Sequence, residues 1–319
     1  MKCNRIIVSL ATVAASLSPG FVGTTVGSAR AADKAVVVDG SSTVFRISKA
    51  AQEGFAGVDS DVTVVVDNHG TGGGFGRYAR GEVDIVDASR AAKPKEEADA
   101  KAKGFEWTRY IVGHDGLTVA VPASNTFLKE LSVSHLKLLW EPNSKIKTWK
   151  DLNPSYPDRK IVLYSPDNDS GTFEFFLEAI IGKEKGQRKD VQQSADDNTL
   201  VRGVAGEANG IGYFGYAYFA ANSKKLRAVP IKKDDASPAV APSPATVKNQ
   251  SYTPLSRPLY IYVKKQAMRR PEVARFVGYY LDHVAELAVM AKYVEPTPAD
   301  IAANKQARAG ATAATPKAR

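Results

Sequence analysis

Cysteine is almost missing from this 319-residue chain: Cys3 is the only one, and it lies ahead of an apolar N-terminal run. A disulfide framework is therefore excluded, and the folded part must be held by its core. Histidine is also scarce. The four residues His69, His114, His135 and His283 are scattered, with no pair at metal-ligand spacing, so the pattern implies neither a metal nor a cofactor. Long apolar runs are missing too. Ile6–Leu17 falls short of the roughly 20 residues that cross a bilayer, and no later stretch reaches that length. Acidic residues are absent after Asp300, where Lys305, Arg308, Lys317 and Arg319 stand in an Ala-rich end. That end reads as a poorly ordered tail over 299–319, not as a nucleic-acid arm.

Lys2 and Arg5, the apolar run behind them and the Ala29-Arg30-Ala31 triplet form the pattern of a cleaved export signal over residues 1–31. The expected product is a soluble exported protein. Its loss removes three basic residues and no acidic one from a formal charge of +9. The balance left is still basic, which suits a surface that handles anions. What remains is long enough for two domains of roughly 100–200 residues each.

From Lys34 onward, short β-branched runs alternate with helical stretches, which predicts an α/β architecture of mainly parallel sheets. Three polar clusters follow such runs early in the chain: DGSSTV at Asp39–Val44, HGTGGGF at His69–Phe75 and DASR at Asp87–Arg90. Backbone N–H groups are free where a strand ends in Gly, Ser or Thr ahead of a helix, and the helix dipole there favours negative charge. Helices are expected over Val44–Phe55, capped by Ser42 or Thr43, and over Gly74–Arg80, closed by Gly81. A second focus is Ser165–Thr172, where Asp169 or Ser170 caps a helix over Phe173–Ile181 and sets Gly171 and Thr172 at its start. Ile111–Val121 reads as an extended segment leaving a first lobe, and Arg257–Val263 as a strand returning to it. Pro238–Pro254 reads as a surface loop, and Arg275–Ala291 as one closing helix. Trp107, Trp140 and Trp149 read as packing residues, as does the aromatic strip of Tyr213, Phe214, Tyr216, Tyr218 and Phe219.

The ordered set DGSSTV, HGTGGGF, DIVDASR, DSGTFEFF, GIGYFGYAYF and PLSRPLYIYV resembles the phosphate-binding subunit of the phosphate ABC importer, from about Val36 to about Tyr293. The resemblance implies a type II periplasmic-binding-protein-like fold of two lobes joined by two strand crossovers. On that reading, lobe 1 comprises 32–117 and 258–298 and lobe 2 comprises 118–257. Phosphate is expected between the lobes, on Ser42, Thr43, Thr71, Ser170, Gly171 and Thr172. The partners implied are inorganic phosphate and the importer's membrane permease, with the receptor a monomer.

Some members of that family place an aspartate after the Ala-Ser of the third motif, where Arg90 stands here, and an arginine four residues before the serine of SGT, where Pro166 stands. Arg90 is therefore expected as the cation of the site, since its fork can hold two phosphate oxygens. The plain alternative is a surface pair of Arg90 with Asp87 or Glu82. Discrimination against sulfate then needs another acceptor, for which Asp87, Asp167, Asp169, Asp196 and Asp197 are the candidates. Two other readings compete with the receptor. A secreted phosphatase with Thr71 or Ser170 as nucleophile lacks an evident activating base or metal. A phosphate-binding surface or adhesion protein rests on the aromatic strip alone.

Overall fold

A computed structural model of the chain describes residues 35–168, 170–182 and 185–313. The expected export signal, Asp169 and the last residues of the tail lie outside that range.

The β-branched run after Lys34 forms β1 (Val36–Gly40), and the chain turns at once into α1 (Ser42–Ala56). β2 (Val64–Val66), α2 (Gly70–Ala79), β3 (Ile85–Ala88) and α3 (Pro94–Ala102) follow, with β2 and β3 both parallel to β1. Helical crossovers of this kind force parallel pairing and cover the sheet. β4 (Trp107–Pro122) then runs for 16 residues. Beyond it come β5 (Leu131–Ser132), α4 (Val133–Trp140), α5 (Trp149–Leu152), β6 (Val162–Pro166) and α6 (Gly171–Phe176), which continues as a π-helical turn over Leu177–Ile181. β7 (Gln192–Ser194), α7 (Asp197–Gly206), β8 (Gly210–Gly215), α8 (Tyr216–Ala221), β9 (Leu226–Ala228), β10 (Ile231–Lys232), β11 (Ala239–Val240) and α9 (Pro244–Lys248) complete that part. β12 (Ser256–Lys264), a 3-10 turn, α10 (Pro271–Asp282), α11 (Val284–Met290) and α12 (Pro298–Ala313) close the chain.

The strand order is β2-β1-β3-β12-β4-β8-β6-β7. β4 joins the two halves of this order. It pairs with β12 from Trp107 to Gly116 and with β8 from Leu117 onward. Each half is a lobe with core on both faces of its sheet. In the first lobe Val36, Val38, Ile85 and Ile261 pack against Ile47 and Phe55 of α1 and Phe276 and Tyr280 of α10, while Phe75, Tyr78 and Tyr262 fill the other face. In the second, Leu163, Ile211 and Tyr213 pack on Trp140 and Phe176, and Leu200, Val204 and Phe214 lie opposite. Each such side chain contributes about 1.5–3 kcal/mol when fully buried. These layers replace the missing disulfides. Trp140 and Trp149 are fully buried and Trp107 packs between Phe75 and Tyr78, in the packing role expected of them.

Four expectations change. The glycines of the HGTGGGF cluster lie inside α2, which starts at Gly70 and not at Gly74. The supposed loop 238–254 contains α9, begun by Pro244 at its first turn and capped by Ser243, with Val247 and Tyr252 fully buried. Proline at that position presets helical φ instead of interrupting a helix. The closing helix is two helices that meet at His283. The tail through Ala313 is α12, not a poorly ordered end. Asn304 is buried and bonds both backbone groups of Ile111, at 3.0 and 2.7 Å, and Asp300 meets the buried His114 at 2.8 Å. Composition identified the basic, Ala-rich stretch but not these two polar anchors.

Candidate functional site

The tip of β1 is built on Asp39, which is fully buried. Its carboxylate accepts the N–H of Gly40 at 2.7 Å and of His69 at 3.0 Å, and meets the His69 ring at 2.9 Å and the Arg77 guanidinium at 2.7 Å. Burial alone would raise this carboxyl, but the His69 N–H and Arg77 hold it below its ordinary value. Asp39 thus fixes the start of α2 to the start of α1. Gly74 permits this approach, since a β-carbon there would stand 2.7 Å from the Asp39 carbonyl and the Gly40 Cα.

The helix cap is Ser41, one residue before the expected pair: its Oγ accepts the Thr43 N–H at 3.2 Å. Ser42 and Thr43 form the first turn of α1 with their hydroxyls free of capping duty. Thr71 Oγ1 accepts the Ser89 N–H at 3.3 Å, which joins the glycine-rich turn to the end of β3.

Arg90 follows directly, and its fork is engaged by Glu96, at 2.9 and 2.8 Å, while Glu96 also caps α3 through the Lys93 N–H. The partner is neither Asp87 nor Glu82. Glu82 pairs with Arg77 and Arg80, and Asp87 faces inward. Asp87 accepts a hydrogen bond from Ser48 at 2.8 Å, and its other oxygen has no partner among the described residues. Burial pushes its pKa up to about 8.

From the second lobe, Ser170 caps α6 by accepting the Thr172 N–H at 3.2 Å. Gly171 lies against α1: a β-carbon on it would overlap Thr43 Oγ1 and stand 3.0 Å from Ser42 Oγ. The hydroxyl turn of one lobe and the Ser-Gly-Thr turn of the other therefore meet directly.

Beside this contact is a polar cavity of about 380 Å³ whose wall includes Thr71, Ser89, Arg90, Lys93, Glu174, Glu178 and Arg257. A second cavity of about 400 Å³ shares Ser89, Arg90, Glu178 and Arg257 and extends toward Pro254 and Tyr260. Of the expected set, Thr71 and Arg90 line the cavity, while Ser42, Thr43 and Gly171 form the contact at its side.

Arg257 belongs to both groups. Its Nη2 donates to Thr43 Oγ1 at 3.0 Å and to the Gly171 carbonyl at 3.4 Å, its guanidinium stacks 3.8 Å over Phe175, and Asp115 accepts from it at 3.3 Å. Burial raises the Asp115 carboxyl, and Arg257 opposes that rise. Arg257 stood in the PLSRPL motif but read only as a strand residue; its direction depends on the pairing of Arg257 with Asp115 across β12 and β4. Glu174 and Glu178 were also missed, although their spacing of four after the SGT turn puts them on one helical face.

Neither Asp196 nor Asp197 lines the two cavities. Asp196 caps α7, and Asp197 is buried beside it with its pKa pushed up by burial to about 6.

Comparison with known proteins agrees with this architecture. The profile of the PBP superfamily domain matches residues 24–283. Protein SphX of Synechococcus elongatus is 38% identical over 98% of this chain and 91% of its own length. Phosphate-binding protein PstS of Staphylococcus haemolyticus is 38% identical over 80% of this chain and 79% of its own. The crystal structure of a possible phosphate binding protein from Planctomyces limnophilus superposes with a TM-score of 0.83 at 42% identity, covering 87% of this chain and 98% of that one. A phosphate transport receptor from Vibrio cholerae, at 19% identity and a TM-score of 0.65, shares the fold.

The two-lobed architecture and the profile match define a periplasmic-type substrate-binding protein. The chain belongs to the PBP superfamily, in the family that the SphX and PstS proteins represent.

Proposed function

We propose that this chain is an exported receptor that binds inorganic phosphate between its lobes and delivers it to the permease of an ABC importer. The observation that carries the reading is the direct meeting of the Ser42-Thr43 turn with Gly171, beside a polar cavity walled by Arg90, Lys93 and Arg257. Helix N-terminal amides and hydroxyls favour a tetrahedral oxyanion. Ser42, Thr43, Thr71, Arg90, Ser170, Gly171 and Thr172 are the ligand set of this proposal.

Each charge-assisted hydrogen bond contributes roughly 1.5–3 kcal/mol. About six of them, less desolvation and closure, leave the roughly 8 kcal/mol of a micromolar site. Glu174 and Glu178 in the cavity wall supply the negative surface that the third motif lacks. A carboxylate there accepts a hydrogen bond from protonated phosphate and repels fully ionised sulfate.

The hydrolase reading is weaker at the level of the hydroxyls. Thr71 Oγ1 accepts the Ser89 amide and Ser170 Oγ the Thr172 amide, and neither hydroxyl is hydrogen-bonded to a carboxylate or imidazole among the described residues. No group of three potential metal-ligating side chains occurs among the described residues. Among them, too, no helix is long and apolar enough to cross a membrane.

Titration of intrinsic tryptophan fluorescence with phosphate, alongside small-angle scattering, tests the receptor. Saturable change with compaction is expected, and no change in either signal would refute it. Release of chromophore from a phosphate ester, with or without divalent metal, would favour the hydrolase instead.

A further inference from the structure

We propose that Arg257, which lies outside the ligand set above, is a direct anion ligand and the tie that couples anion binding to lobe contact. The inference rests on the receptor reading and deepens it. Three observations carry it. Arg257 enters β12 where the chain passes back to the first lobe, opposite Asp115 on β4, one residue before the point at which β4 changes partners after Gly116. Its side chain is only 11% exposed, yet it lines both cavities. One nitrogen, Nη2, bonds Thr43 of the first lobe and Gly171 of the second.

The guanidinium has five N–H donors in a fixed plane. Nε and Nη2 are engaged by Asp115, Thr43 and Gly171, whereas Nη1 donates to no residue among those described. Phe175 beneath and Asp115 beside it hold the plane in place before any ligand arrives. Arg90 differs: both of its terminal nitrogens already donate to Glu96, at 2.9 and 2.8 Å, against 3.3 Å for the bonds of Arg257 to Asp115. An oxyanion in the cavity therefore meets a preoriented cation in Arg257, and by drawing its charge it engages the residue that already touches both turns. Asp115 competes for the same charge, so it sets how strongly Arg257 can bind.

Calorimetric titration with inorganic phosphate of the parent, Arg257→Met, Arg257→Lys and Asp115→Asn decides the matter, with melting curves to establish folding. Arg257→Met is expected to weaken binding about 100-fold or more and to flatten its dependence on ionic strength, because a full positive charge that attracts the anion is removed from the site. Arg257→Lys should recover part of the affinity without the bidentate geometry. Asp115→Asn should tighten binding several-fold. A folded Arg257→Met that binds like the parent with an unchanged salt dependence would overturn the inference. If that variant does not fold, the pair Arg257→Lys and Asp115→Asn decides: parental affinity in both would equally overturn it. Failure of the parent itself to bind phosphate would instead defeat the receptor reading.

Discussion

Gly171 rests on Thr43 so closely that any side chain on the glycine would overlap the threonine hydroxyl. The two residues come from different lobes, and their contact is where the hydroxyl turn of α1 meets the start of α6. Gly171→Ala should therefore hinder approach of the lobes and leave each lobe intact. Overpacking of this kind costs about 1–3 kcal/mol, so phosphate affinity should drop about 10- to 100-fold while the melting temperature changes little. Titration calorimetry and thermal melting read the two quantities separately.

Arg90 and Glu96 are joined by two hydrogen bonds at the cavity wall. If Arg90 donates to a bound anion with its remaining hydrogens, Arg90→Ala should weaken phosphate binding about 10- to 100-fold, the equivalent of one charge-assisted bond. Glu96→Gln should act in the other direction, since it leaves Arg90 charged and releases part of its fork. A several-fold gain in affinity is the expected outcome. Equal affinity in both variants and the parent would remove Arg90 from the ligand set.

Asp87 provides a test by pH. Burial raises its carboxyl to about 8, with Ser48 opposing that rise and Asp39 adding to it. In the unfolded chain it titrates near pH 4. Between about pH 4 and pH 8 the folded protein keeps a proton that the unfolded chain has lost, so this residue lowers stability as pH rises through that window and has no further effect above it. Asp87→Asn should melt near the parent at pH 4 and above it at pH 8. Parallel melting profiles for the two proteins would show that Asp87 is ionised in the fold.

The architecture was legible because the signals that specify it are local. Val36–Val38 followed by a small polar cluster and then apolar residues at helical spacing can hardly form anything but a strand, turn and helix. The SGT turn was readable for the same reason. What sequence reasoning did not reach depends on pairing between distant segments. Arg257 faces the cavity because it lies opposite Asp115 in a register set by β4, and Glu96 reaches Arg90 because α3 turns back after Ala92. The helix was expected to start at Gly74, whereas α2 already starts at Gly70, and the absence of a β-carbon at Gly74 lets it press against the β1 tip. Tertiary contact outweighed the low helix propensity of glycine over 70–73.

Asn304 anchors α12 to β4 by satisfying both backbone groups of Ile111. Asn304→Ala would leave these groups without their partner, and a buried polar group so exposed costs about 1–3 kcal/mol. Chemical denaturation should show a loss of that size with the slope unchanged. Phosphate affinity should stay at the parental level, because the anchor lies outside the cavity wall. A neutral effect on stability would mean that α12 is held by its other contacts.

The most direct measurement for the account as a whole is titration calorimetry of the chain freed of any copurified anion, with phosphate and then sulfate, at one ionic strength near pH 7. The expected result is one phosphate per chain at micromolar affinity or tighter, with sulfate weaker by about 100-fold, the equivalent of roughly 3 kcal/mol. No binding of phosphate, or equal affinity for the two anions, would contradict it.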